Sequence, residues 1–300
     1  MQNIPVATAI VVHGGASSGK DLNDGCERAA EAAAQVLKAG ENGLAAAIAA
    51  VLVMENDDRF NAGTGAVLGL DGDTIEMDAS LMDSRGTLSA VAALRGVKNP
   101  ILVARDIART PHCLMAGEGA QRFARLMGHK PYHAVSDKAR KQHAELIEEL
   151  SSDKPAMEGV DNDDFLRFWN YVASPAFGGK KGCDTVGAVV RDADGHFAVA
   201  GSTGGAAPSL LGRVGDTPIV GSGFYAGTEG AVAATGVGEY IIRQTLASKV
   251  YHWIAGGMDL HQALRQGIAL IPSGVDVGLI AVSKTQAGSC SNADMPTAQM

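Results

Sequence analysis

No two of the four cysteines, Cys26, Cys113, Cys183 and Cys290, form a C-x-x-C pair. That spacing excludes a zinc knuckle and a disulfide framework, and reduced thiols are expected. Cationic charge is scarce too. Lys and Arg number 25 against 33 Asp and Glu, the net charge is −8, and no long basic run appears. Nucleic acid and anionic membrane surfaces both demand clustered cations, so neither partner is expected. The longest apolar stretch, Leu44–Met54, is far too short to span a bilayer. The opening Met1-Gln2-Asn3-Ile4-Pro5 lacks the basic start and apolar core of a signal peptide, so a cytoplasmic location is expected. No H-E-x-x-H motif, EF-hand loop or close His/Cys/carboxylate cluster points to a metal, and His112-Cys113 reads as packing.

What is present is apolar surface and glycine. Hydrophobic residues make up 46% of the 300 and charged residues 19%, which suits one globular unit with a substantial core. The 38 glycines follow no collagen period and are expected at tight turns and close backbone approaches. The β-branched run Thr8–Val12 reads as a buried strand ending at His13-Gly14-Gly15. Asp21–Ala39 and the alanine-rich Gly43–Glu55 read as helices, and Asn61–Gly65 as a loop. Val67–Leu70 and Thr74–Met77 flank Asp71-Gly72, a hairpin signal. Ala79–Met82 and Leu88–Ala93 form a second hairpin, and helices follow near Pro100–Arg109, Glu118–Leu126 and Asp137–Glu149.

The composition then shifts. Ser151–Asp164 is polar and acidic, as in an exposed linker. Aromatics are only 5% of the chain, yet Phe165, Phe168, Trp169 and Tyr171 fall within seven positions, which reads as a short packing helix. A glycine-rich stretch, Ser174–Gly182, leads to Cys183-Asp184-Thr185. Beyond it, Val186–Arg191 and Phe197–Ser202 read as strands around a turn, and Pro218–Gly221 as a short one. Gly238–Ala255 and Leu260–Leu270 read as helices, and Val277–Ser283 as a last strand. Strict β-α-β alternation is missing, so an α+β fold with antiparallel sheets between helical layers is expected.

Two motifs tempt and fail. Gly14–Lys20 fills seven positions of a phosphate-binding P-loop, but the eighth is Asp21, where the motif needs Ser or Thr. Gly15–Gly19 matches G-x-S-x-G, but lies before the strands that should precede a nucleophile elbow. Both describe a turn from the first strand to the first helix.

Four glycine-bearing segments carry rare polar groups: Gly182–Gly187, Ser202–Gly205, Gly212–Asp216 and Thr235–Glu239. Together they supply hydroxyls, a guanidinium, a carboxylate and glycine N–H groups, which suits binding a small zwitterion and attacking its amide. A threonine hydroxyl needs a base to take its proton. Cleavage before Thr185 would free an α-amine of pKa about 7.7–8.0, one residue's width from its own Oγ. Asp184 could assist that cleavage. Arg213 suits a carboxylate and Asp216 an ammonium, which together describe an α-amino acid head group.

These residues resemble the isoaspartyl peptidase and plant-type asparaginase family of N-terminal nucleophile hydrolases. The likeness runs through His13–Ala16, Phe60–Gly63, Glu76–Ala79, Asp184–Gly187, Ser202–Gly205, Gly212–Asp216 and Thr235–Glu239. It implies a four-layer αββα sandwich that cleaves itself into residues 1–184, with a flexible linker at about 151–184, and residues 185–300. Commonly two such α–β pairs form a dimer. It implies that Thr185 is the nucleophile, that Thr203 supports it, and that Thr235 and Gly236 hold the oxyanion. Arg213, Val214, Gly215 and Asp216 would grip the substrate, with Gly236, Val237 and Gly238 lining that pocket. Asn61 would lie near the nucleophile, after a loop whose backbone carbonyls hold a structural sodium. No other cofactor is implied. The substrates implied are L-asparagine and β-aspartyl peptides. Two features depart from the pattern: Asp184 matches glycosylasparaginases, and Ser273–Asp276 replaces a glycine-rich stretch. A glycosylasparaginase is therefore the alternative within this chemistry. A silent relative or a nucleotide-binding protein is the alternative outside it.

Overall fold

The computed structural model describes residues 7–150, 162–172 and 185–300. The first half runs β1 (Ala9–His13), α1 (Asn23–Lys38), α2 (Gly43–Glu55), β2 (Met77–Asp83), β3 (Leu88–Leu94), α3 (Pro100–Ile107), β4 (Leu114–Ala116), α4 (Gly117–Leu126), α5 (Asp137–Leu150) and α6 (Asn162–Arg167). The second runs β5 (Thr185–Arg191), β6 (Phe197–Thr203), β7 (Phe224–Gly227), β8 (Gly230–Gly236), α7 (Gly238–Gln244), α8 (Leu246–Ala255), α9 (Leu260–Ile268), β9 (Val277–Ser283), β10 (Ala287–Ser291) and β11 (Thr297–Gln299).

Two sheets result, of order β11-β1-β5-β6-β2-β3-β4 and β10-β9-β8-β7. Every pairing is antiparallel except β3 with β4. The expected mixed, mainly antiparallel α+β architecture is thus present. The sequence explains the layering. In α1, Cys26, Ala29, Ala30 and Ala33 are buried, spaced so that they form one helical stripe. Helix α2 starts at Asn42, whose side chain accepts from Ala45 N at 2.9 Å, and it is apolar all round because it is enclosed. Both helices join β5 and β6 in one core, which includes Val186, Ala188 and Val190. Val189, on the other face of β5, packs between the sheets with Phe224, Ala233 and Ile280. Beyond the second sheet, Val232 and Ala234 pack with Leu246, Val250 and Leu264 of α8 and α9. Strands covered on both faces carry no alternating polarity, and β5, β6, β8 and β9 are buried throughout.

Several expectations need correction. The Asp71-Gly72 turn exists, but 67–70 and 74–77 do not form a hairpin ladder. Asp71 Oδ1 accepts from the Asp73 and Thr74 N–H groups, closing a tight loop, while Leu70 packs against Leu146, Ile147 and Phe165. Pro218–Gly221 makes only one isolated bridge, Val220 to Phe224. The expected helix 238–255 breaks at Thr245, which takes a left-handed conformation with φ 46°. Strand β9 is not the last. Strand β10 extends the second sheet, and β11 returns to the edge of the first beside β1. The aromatic cluster does pack: Phe165 and Tyr171 are buried with Leu70, and Trp169 lies against them. The expected linker, Asp184 and the bond before Thr185 lie outside the described residues, apart from 162–172.

Candidate active site

Thr185 is the first residue of β5 and pairs with Thr203, the last residue of β6, which in turn pairs with Asp78 on β2. Thr185, Thr203 and Asp78 are all buried. The Thr185 hydroxyl lies 3.4 Å from the hydroxyl of Thr217, itself buried. Ser80, two residues along β2 from Asp78, donates to the Thr217 carbonyl at 2.6 Å and fixes that segment. Thr203 Oγ1 accepts from Gly205 N at 3.0 Å, which shapes the turn after β6.

Asn61 ties this turn to the first half of the chain. Its Nδ2 donates to Gly205 O at 2.7 Å, its Oδ1 accepts from Val67 N at 3.0 Å, and its carbonyl accepts from Gly204 N at 2.9 Å. A buried amide with its groups engaged in this way is a structural clasp. Carbonyl oxygens of the segment before Asn61 crowd the Gly63–Gly65 turn that follows it. A methyl on Gly65 would meet Phe60 O at 2.0 Å and Asp58 O at 2.4 Å, and one on Gly63 would meet Glu55 O at 2.5 Å. Thr64 Oγ1 is buried there with no hydrogen-bond partner among the described residues. Oxygen-rich surroundings of this kind suit a hard cation. Among the described residues, no group of three or more His, Cys, Asp or Glu side chains is placed to hold a metal.

Arg213 and Asp216 sit together on the loop between β6 and β7. Gly238 brings α7 against both: a methyl there would lie 2.9 Å from Arg213 Nη2 and 2.9 Å from Asp216 Oδ1. Arg213 donates from Nε and Nη2 to the two carboxylate oxygens of Glu239, each at 2.9 Å. Glu76 Oε2 accepts from Gly212 N at 2.6 Å and Oε1 from Arg95 at 2.8 Å, fixing the start of the loop. Asp216 is fully enclosed, and its Oδ2 has no hydrogen-bond partner among the described residues. Burial pushes its carboxyl up to about 7, with Asp78 and Glu239 adding to the shift and Arg213 opposing it. Burial likewise raises Asp78 to about 6, against hydrogen bonds from the Ala93 and Gly215 backbone. Gly215 is buried, while Val214 is half-buried beside them.

The opposite wall is the end of β8. Thr235 is fully buried and its Oγ1 accepts from Ala16 N at 3.2 Å. That bond uses a lone pair and leaves the Thr235 proton to be donated. Gly236 has φ 137°, and a methyl on it would lie 2.3 Å from Asp276 O. Val237 precedes α7 and its N–H donates to Asp276 O at 3.3 Å. Ser17, at φ 82°, donates its hydroxyl to Asp276 Oδ2. The Gly14–Gly19 turn that imitated a P-loop therefore braces the Thr235–Gly236 corner.

The expected residues converge. Thr185 touches Thr217, Thr217 follows Asp216, and Asp216 lies against Gly238, two residues beyond Gly236. Asp184 lies outside the described residues. Sequence reasoning missed Thr217, Glu239 and Asp78 as members of the site. Each stood inside or beside a quoted motif: Thr217 directly after Asp216, Glu239 at the end of T-G-V-G-E, and Asp78 within E-M-D-A.

The family described as Asparaginase matches residues 6–299. The isoaspartyl peptidase/L-asparaginase of Mus musculus is 38% identical over 296 residues, covering 94% of this chain and 84% of its own. The plant-type L-asparaginase of Thermococcus kodakarensis is 39% identical over 272 residues, covering 87% and 84%. That of Pyrococcus horikoshii is 40% identical over 273 residues, with the same coverage. With a family match over nearly its whole length, laid on a site built from two threonines and an arginine–aspartate pair, the chain belongs to this asparaginase family.

Proposed function

We propose that the chain is a threonine-nucleophile amidohydrolase that hydrolyses β-aspartyl dipeptides and the side-chain amide of L-asparagine, after cleaving itself before Thr185. The observation that carries the reading is the contact chain Thr185–Thr217–Asp216. It joins a strand-end hydroxyl to the segment that carries Asp216, whose buried carboxylate shares the surroundings of Gly238 with Arg213. The names of the relatives, isoaspartyl peptidase/L-asparaginase and plant-type L-asparaginase, agree with this chemistry.

In this mechanism the freed Thr185 amine takes the Oγ proton and Oγ attacks the β-carbonyl carbon. The oxyanion is held by the Thr235 hydroxyl and the Gly236 corner, donors set before the reaction begins. The protonated amine passes its proton to the departing nitrogen as the C–N bond breaks. Water then opens the β-aspartyl ester on Thr185 and releases aspartate. Arg213 holds the substrate α-carboxylate and Asp216 its ammonium, within the pocket that Val214, Gly215, Val237 and Gly238 close.

The same reading makes the two sheets and their outer helices a four-layer αββα sandwich of the N-terminal nucleophile type. Helices α1 and α2 on one sheet, and α8 and α9 on the other, support it. It assigns a sodium ion to the backbone carbonyls of the loop before Asn61, a dimer of cleaved pairs as the working form, and a cytoplasmic location. Among the described residues no helix is long and apolar enough to cross a membrane.

The test is incubation of the purified protein with β-aspartyl dipeptide and, separately, with asparagine. Release of aspartate, with ammonia from asparagine, is expected. No release from either substrate by protein that has cut itself would remove the reading.

A further inference from the structure

Beside Thr185, between the two sheets, lies a small void. Its lining includes His13, Ser80, Thr185, Gly201, Thr217 and Ala233. The space open to the centre of a water molecule is about 10 Å³, which is room for one. His13 closes it from β1, where it pairs in register with Gly187 of β5. A methyl on Gly187 would lie 2.4 Å from His13 Nε2, so this glycine makes room for the ring. The side chain is fully buried, and neither ring nitrogen makes a hydrogen bond of normal geometry among the described residues.

An unsatisfied buried polar group is costly, and a neutral imidazole carries one donor and one acceptor. A dry cavity is stable when its walls are apolar, and this one holds an imidazole and three hydroxyl-bearing residues. Burial drives the His13 pKa down to about 3 while the polar Thr185 backbone beside the ring opposes it, and the neutral ring keeps at least one nitrogen for a water.

We propose that this void is a binding site for a single water molecule held by His13, and that the water and Thr217 together orient the Thr185 hydroxyl. The inference rests on Thr185 being the nucleophile. Its Oγ must point a proton at its own α-amine and a lone pair at the substrate. A second lone pair is left over, and a donor placed behind it fixes the hydroxyl rotor in the attacking direction. The Thr217 hydroxyl at 3.4 Å is the donor the geometry offers, and a water on the His13 side is placed to fix the direction in which it donates. Ser80, by fixing the Thr217 carbonyl, keeps that donor in place. His13 and Thr217 are positioning residues here, acting on the nucleophile rather than on the substrate.

The direct test is a high-resolution crystal structure of the unaltered protein. One ordered water within hydrogen-bond distance of a His13 ring nitrogen and of the Thr185 or Thr217 hydroxyl is expected. A dry void, or one filled by a side chain, would overturn the proposal. This readout needs no turnover, so it stands apart from the hydrolase reading, which fails only if active-site threonine chemistry is absent. A kinetic test separates positioning from mere packing. Thr217→Val, which keeps the shape and removes the hydroxyl, is expected to lower kcat on β-aspartyl dipeptide about tenfold with KM little changed, the size of one lost hydrogen bond. Thr217→Ser is expected to restore kcat. A valine variant with unchanged kcat would remove Thr217 from the arrangement.

Discussion

Arg213 spends its Nε and Nη2 on both carboxylate oxygens of Glu239, at 2.9 Å each. The edge of a guanidinium best shaped for a substrate carboxylate is therefore already taken by the protein. If Arg213 grips a substrate α-carboxylate as proposed, another edge of the guanidinium is expected to do so, and its Nη1 lies near Gly215, where a methyl would come within 2.9 Å of it. Glu239 fixes how the Arg213 guanidinium is turned.

Glu239→Ala is accordingly expected to raise KM for asparagine about tenfold or more, while kcat changes little, since the contact is made equally in ground and transition states. Steady-state kinetics on the cleaved enzyme check this. An unchanged KM would mean that Arg213 holds its position without Glu239.

Asp216 should make substrate affinity depend on pH. Its carboxyl, raised to about 7 by burial first and by Asp78 and Glu239 next, carries a proton in the empty site at lower pH. A substrate ammonium pairs with the ionised form, so binding must expel that proton. KM is therefore expected to climb as pH falls below about 7, by up to tenfold per unit, and to level off above it. In Asp216→Asn the slope should vanish and KM should be high throughout. A wild-type KM that is flat between pH 5 and 8 would contradict the assignment.

Gly236→Ala tests the oxyanion corner. The added methyl meets the Asp276 carbonyl at 2.3 Å in a backbone conformation that side chains rarely adopt, so the corner must shift. Displacing a preset oxyanion donor costs on the order of a hundredfold in kcat. KM should stay within a few-fold. A raised KM with kcat unchanged would place Gly236 in binding instead.

Much of this site was legible in the sequence because its polar residues are rare and stand beside glycines. Thr185, Thr203, Arg213, Asp216, Thr235 and Gly236 declared themselves in that way. Helix α1 was legible from its acidic start and the Gly40 stop, and α2 from its alanine-rich apolar run. Strand β8 was not, because Ala231–Thr235 is mostly alanine, and its burial on both faces removes the alternation that marks a strand. Strands β10 and β11 are short and polar, and their pairing partners lie elsewhere in the chain. The roles of His13, Asp78 and Glu239 depend on burial and on contacts between segments far apart in sequence. No local pattern encodes those contacts.

The central claim is that Thr185 becomes a free N-terminus and then acts as the nucleophile. The most direct measurement is the intact mass of the purified protein incubated near neutral pH, alongside Thr185→Ala, with β-aspartyl hydrolysis followed on the same samples. The account predicts two fragments meeting at the Asp184–Thr185 bond in the active wild type, and an uncut, inactive variant. A wild-type chain that stays whole at 30.8 kDa while turning over substrate, or an active Thr185→Ala, would contradict it.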